Sequence, residues 1–321
     1  MKSITRQLAR LSALPLVLLF AIPSQAAEIR LSLPPDPNAL PVFVLEAKQE
    51  RFLPEDDLKL VSNPAGDPSA MRAMIQARRV DFALFNLIGG VRFHAGGLRD
   101  ISLVTPWVWR GIYLLQPVED NDLEELDGQR VLVAPGTSTP PHVVTEEVLT
   151  DMGIRPEFVT GGAGTVLMEQ LRDPKRAPAG VAAPEPLVSQ ILDRQEAQDW
   201  DQRWEIRLDP AEQLGGEIPL GALWQAHPDV DPEVRERLVA ALDEVANWLE
   251  DPANHDEAAA IAAAGYGSFF RMPVPESTFR GLLAAERVRW DTGTDAETRR
   301  KVKTYLRSVF EIDAPAGLFQ R

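Results

Sequence analysis

Residues 126–142, LDGQRVLVAPGTSTPPH, constrain the fold more than any other stretch. The apolar run 131–134 has the length and composition of a buried strand. A polar turn follows at 136–139, and Pro140 and Pro141 then open a helix that should run to Met152 and stop at Gly153. A helix that begins just past a strand end gathers free backbone N–H groups and the hydroxyls of Thr137, Ser138 and Thr139 at one tip. The macrodipole is positive there, so the tip suits an anion or a polar group. Open α/β sheets bind ligands at the carboxyl ends of their strands, which is where this tip falls. The plainer alternative is a βα turn with a hydroxyl cap.

The same alternation recurs along the chain. A strand at 29–33 leads through the rigid loop 34–37 to a helix at 39–49. A strand at 58–61 leads to a helix begun by Asp67-Pro68, with Met71, Met74 and Ile75 on one face. Strands at 79–85 and 101–104 follow. The rhythm restarts at Asp122, with strands at 130–134, 157–160 and 180–183, each leading into a helix. This pattern predicts an α/β protein with parallel sheets covered by helices on both faces. It also predicts two α/β units, with the apolar, extended segment 105–116 between them as an interdomain strand. The C-terminal part reads as helical. Asp231-Pro232 and Asp251-Pro252 repeat the cap-then-proline grammar of helix starts.

The N-terminus stands outside that pattern. Lys2, Arg6 and Arg10 precede an apolar stretch at 11–22, too short to span a bilayer comfortably, and Ser24-Gln25-Ala26 offers small residues for cleavage. Residues 1–26 are therefore expected to be a signal peptide cut after Ala26, leaving a soluble protein in the periplasm. The chain has no cysteine, which excludes disulfides, thiol catalysis and cysteine metal sites. Its formal net charge is −15, and loss of Lys2, Arg6 and Arg10 makes it −18, so nucleic acid is a poor partner. His94, His142, His227 and His255 are scattered without metal-ligand spacing, and no nucleophile elbow, phosphate loop or dinucleotide fingerprint is present. The chain reads as a binder, not an enzyme, with no cofactor and no metal.

Three stretches carry a family likeness. Pro64-Ala-Gly-Asp-Pro68 with the following helix and Val80-Asp-Phe-Ala-Leu-Phe-Asn86 resembles the glycine turn, helix and strand of the sulfonate/nitrate/taurine/thiamine-precursor binding proteins. Residues 126–135 look like that family's strand before the second-lobe helix, and Gly180-Val-Ala-Ala-Pro-Glu-Pro-Leu187 looks like its third motif, without the usual opening aspartate. The resemblance implies a type II periplasmic-binding-protein fold: two α/β lobes, one of residues 27–106 and 218–321 and the other of residues 107–217, joined by a two-strand hinge near 105–116 and 205–225 and closing over a small solute. It further implies delivery of that solute to an inner-membrane ABC permease with its ATPase, by a protein acting as a monomer. A small organic anion or oxoanion is the leading solute class, and a thiamine-precursor pyrimidine the alternative. A biosynthetic enzyme on the same fold is the reading from another class.

Taking the loop after each strand gives the candidate ligand-binding residues. These are Asn38, Gly66, Asn86 and Trp107 in the first unit, then Thr137, Ser138, Thr139, Gly162 and Glu185 in the second. Trp109 joins them because alternate strand residues share a side with Trp107. A tryptophan pair suits a ring or a cation. Glu185, between two prolines, accepts hydrogen bonds only, so a ligand role for it requires a donor-bearing solute.

Overall fold

The computed structural model describes residues 26–63, 68–119, 122–162, 164–216 and 218–319. The expected signal peptide, apart from Ala26, and Gly66 and Asp67 lie outside the described residues.

Two five-stranded sheets organise the chain. The first contains β1 (Ala27–Leu33), β2 (Asp56–Ser62), β3 (Phe82–Asn86), β4 (Ser102–Val108) and the late strand β10 (Gly221–Gln225), in the order β2-β1-β3-β10-β4. The second contains β5 (Ile112–Pro117), β6 (Arg130–Val133), β7 (Glu157–Thr160), β8 (Gly180–Pro184) and β9 (Trp204–Leu208), in the order β7-β6-β8-β5-β9. The fold is the mixed α/β, two-lobed architecture that the sequence pattern implies.

One expectation needs correction: the sheets are not wholly parallel. β10 runs antiparallel to β3 and β4, and β5 runs antiparallel to β8 and β9. The cause is the exchange of chain between sheets. The chain leaves the first sheet at Val108 and enters the second at Ile112; it leaves the second at Leu208 and returns at Gly221. A strand arriving from the facing sheet enters from the opposite end, so each sheet holds one reversed member. The apolar stretch read as a single interdomain strand is thus two strands of different sheets, broken at Arg110 and Gly111, where Gly111 has φ +134°.

In the first lobe α1 (Ala39–Ala47) and the short α2 (Gln49–Phe52) follow β1, α3 (Pro68–Gln76) follows β2 and α4 (Leu87–Ala95) follows β3. In the second, α5 (Pro140–Asp151), α6 (Thr165–Arg172) and α7 (Leu187–Ala197) follow β6, β7 and β8, and α8 (Pro210–Gln213) lies on the return. The last third adds α9 (Pro232–Glu250), α10 (His255–Phe269), α11 (Glu276–Ala284) and α12 (Ala296–Phe310). The cap-then-proline starts are visible: Asp231 accepts from the Glu233 N–H at 2.9 Å and Asp251 from the Ala253 N–H at 3.0 Å. α9 and α10 pack on α1, so the main core joins the first sheet to the C-terminal helices. Smaller cores lie on either face of the second sheet.

Candidate functional site

The loop after β1 has the sequence Pro34-Pro35-Asp36-Pro37-Asn38, and its prolines limit the backbone to few conformations. Two C-terminal side chains pin it. The Tyr266 hydroxyl donates to the Asp36 carbonyl at 2.8 Å, and the Trp290 indole N–H donates to the Pro37 carbonyl at 2.9 Å. Within the loop, Asn38 donates its backbone N–H (2.9 Å) and its Nδ2 (2.6 Å) to Asp36 Oδ1. Among the described residues both hydrogen bonds to this carboxylate go to Oδ1. Asn38 itself is buried, and its Oδ1 has no partner there; a Cβ on Gly221 would sit 2.9 Å from that oxygen. Asn38 thus shapes the site by holding Asp36.

Asp36 lines a cavity of about 40 Å³ at the carboxyl ends of β1 and β3, with Asn63, Asn86, Met71, Phe85 and Phe93 among its other walls. Asn86 caps α4, its Oδ1 accepting from the Gly89 N–H at 2.7 Å. The apolar walls withdraw water from Asp36, and this desolvation raises its pKa to about 7, against the opposing effect of the Asn38 donors.

Glu185 follows β8 in the second lobe. It is 1% exposed. Its Oε2 accepts from the Ser189 N–H at 3.0 Å, while Oε1 has no hydrogen-bond partner among the described residues. The nearest cation, Arg287 Nε, stands 4.0 Å from Oε1 and donates from Nη1 to Ser189 Oγ at 2.9 Å. Burial raises the Glu185 pKa to about 7, only partly offset by Ser189 and Arg287. The two loops meet at Gly111: the Glu185 N–H donates to the Gly111 carbonyl at 2.9 Å, and a Cβ on Gly111 would lie 3.8 Å from Pro37 Cγ. Burial, with Asp36 and Glu185 nearby, holds the Tyr266 phenol well above its ordinary pKa.

The lobes are bound together along this line. Tyr113 donates its hydroxyl to the Arg287 carbonyl at 2.6 Å, and Asp193 on α7 accepts from Ser277 at 2.9 Å and from Thr278 at 3.0 Å on α11.

The remaining described candidates do not line the Asp36 cavity. Trp107 is fully buried in the main core, and Trp109 is 4% exposed with its indole N–H donated to the Asp291 carbonyl at 2.9 Å. Residues 289–291 run beside them: Trp109 N–H donates to Arg289 O, and Asp291 N–H to Trp107 O. Both rings are enclosed by protein in this structure.

Thr137 and Ser138 are exposed, and Ser138 takes the left-handed conformation at φ +66°. Thr137 faces Thr160 across 3.4 Å, and Thr139 donates its hydroxyl to the Gly136 carbonyl at 2.6 Å, leaving α5 without a side-chain cap. The tip is also poorer in N–H groups than expected, because Pro140 and Pro141 occupy its first two positions and carry none. Gly162, at φ +70°, borders open space. Asp36, Tyr266 and Arg287 are not among the sequence candidates; the one local signal is an acid set among three prolines directly after a strand. Among the described residues no three His, Asp or Glu side chains converge on a metal position.

Comparison with solved structures fits this architecture. The chain is similar to a ligand-binding component of an ABC-type import system from Staphylococcus aureus, solved with zinc bound (12% identity, 92% of this chain and 96% of that one, TM-score 0.67). It is similar to the periplasmic aliphatic sulphonate binding protein of Escherichia coli (16% identity, 89% and 92%, TM-score 0.66). A Candida albicans gene product described as having the generic periplasmic binding protein fold also aligns (12% identity, 91% and 93%, TM-score 0.58). No family model and no curated protein matches. At these identities the likeness is one of fold, and the chain has the periplasmic-binding-protein fold.

Proposed function

We propose that this chain is the solute-binding component of an ABC importer. In this reading it is exported, cut after Ala26, and works in the periplasm as a monomer without catalytic activity or cofactor. It holds a small organic solute between its lobes and passes it to an inner-membrane permease with its ATPase. The lobes, residues 27–106 with 218–321 and residues 107–217, close about the crossings near 105–116 and 205–225.

The observation that carries this reading is the pair of strand-end loops, one from each sheet. They bring Asp36 and the incompletely bonded Glu185 to the junction of the lobes. A buried polar atom left unsatisfied is costly, and sites that await a ligand are where such atoms are tolerated. Sulfonate and ABC-import binders among the similar structures support the same reading.

In this reading Asn86, Thr137, Ser138 and Gly162 border the solute, and Asn38 supports Asp36. A thermal-shift screen of the protein from Ala27 onward tests it. A solute that binds the folded state alone raises the melting temperature by mass action. The panel holds nitrate, taurine, alkanesulfonates, alkylamines, amidines and aminopyrimidines. A saturable shift with one chemical class is the expected result, and a flat response across the panel counts against the reading. With a ligand in hand, Thr137→Ala combined with Ser138→Ala is expected to weaken affinity by roughly 1–3 kcal/mol through lost hydrogen bonds. Unchanged affinity in a calorimetric titration moves the second-lobe contact away from this turn.

A further inference from the structure

We propose that the cavity beside Asp36 takes the positively charged head of an organic amine or amidine, with Asn38 as the positioning residue. The inference rests on the solute-binding reading and narrows it to a class opposite in charge to the sulfonates.

The composition of the walls decides the sign. The cavity presents a carboxylate and two amides against apolar side chains, and among the described residues no Lys or Arg lines it. Asn38 donates from its backbone N–H and its Nδ2 to Asp36 Oδ1, which holds the carboxyl group without supplying a counter-charge. An anionic head entering here would be repelled by the ionised carboxylate or would have to bind its protonated form. A cationic N–H donor reverses that sign and gains a charge-assisted hydrogen bond. Size sets the second limit. One water needs roughly 10–15 Å³ of such volume, so the cavity holds about three waters. That fits an ammonium or amidinium head, not a whole solute. The body of the solute must then lie outside this cavity.

The test is calorimetric titration of the protein near pH 7 with butylamine and benzamidine, and with butane-1-sulfonate and nitrate, each in two buffers of different ionisation enthalpy. The amine and amidine are expected to bind and the anions not. Binding should release protons, because a partly protonated carboxylate gives up its proton to receive a cation. Asp36→Asn should weaken amine binding at least tenfold and abolish the proton release, with circular dichroism confirming the fold. Asn38→Ala, which keeps the carboxylate, should weaken binding less and alter the proton count.

Binding of the sulfonate or nitrate in place of the amines would overturn this inference and leave the solute-binding reading intact. Amine binding that survives Asp36→Asn with the same proton release would overturn it as well. Failure of both amine probes at millimolar concentration overturns it too, and the broader screen then judges the solute-binding reading separately.

Discussion

Glu185→Gln is expected to stabilise the ligand-free protein by up to about 3 kcal/mol at pH 8 and to change it little at pH 4. The carboxyl titrates near 7 in the folded protein against an ordinary value of 4.5, because burial disfavours its charge. Below pH 4.5 it is protonated in both states and contributes nothing. Between 4.5 and 7 the unfolded chain releases its proton while the folded chain keeps it. The folded state then binds more protons, so stability falls as pH rises. Above 7 the loss is complete. A tenfold change in an ionisation constant is worth about 1.4 kcal/mol, so raising this carboxyl from 4.5 to about 7 costs roughly 3 kcal/mol. Glutamine keeps an oxygen for the Ser189 N–H and carries no charge at any of these pH values. Urea titrations of both proteins at pH 4, 6 and 8 read the difference directly. Equal stabilities at all three would mean that the ionised carboxylate is fully compensated in the ligand-free protein, and Glu185 would lose its standing as an acceptor in waiting. If it is that acceptor, the same variant gives up affinity as it gains stability, the usual exchange at binding sites.

Glu185 and Asp36 are both carboxylates between two prolines after an apolar strand, yet Glu185 is among the sequence candidates and Asp36 is not. Its loop reads as rigid, which is correct, but the partner fixing that loop is Tyr266, 230 positions away, and no local pattern announces such a pairing. Strand and helix positions depend on short-range spacing, so the alternation and the Asp-Pro starts can be read directly. The two sheets' reversed strands cannot, since direction follows from which sheet a strand joins. Trp107 and Trp109 illustrate the same limit. Strand periodicity puts their rings on one side, but the cover laid over them by residues 289–291 comes from the far end of the chain. At the α5 tip the information is present in full: Pro140 and Pro141 lack N–H groups, and this weakens the tip as an anion site whatever its neighbours.

Gly90→Ala is expected to destabilise the protein by about 3 kcal/mol, reversing the usual gain of roughly 1 kcal/mol for replacing a helical glycine by alanine. Gly90 lies in α4 against β10, and a Cβ there would fall 2.0 Å from Trp224 Cζ2 and 2.1 Å from Cε2. The indole has nowhere to go: it is fully buried and stacked on Phe85 with ring centroids 5.5 Å apart. Phe85 is also a wall of the Asp36 cavity, so displacement of Trp224 carries to the site. The glycine thus lets α4 approach the sheet closely enough for its N-terminal residues, Asn86 and Gly89, to close that cavity. Trp224→Phe should relieve the clash, so the double variant should lose less stability than the two single changes added together. Urea titration of the four proteins measures this coupling. A cost below about 1 kcal/mol for Gly90→Ala alone would show that α4 can shift from the sheet cheaply. The cavity would then be set by something other than the approach of this helix.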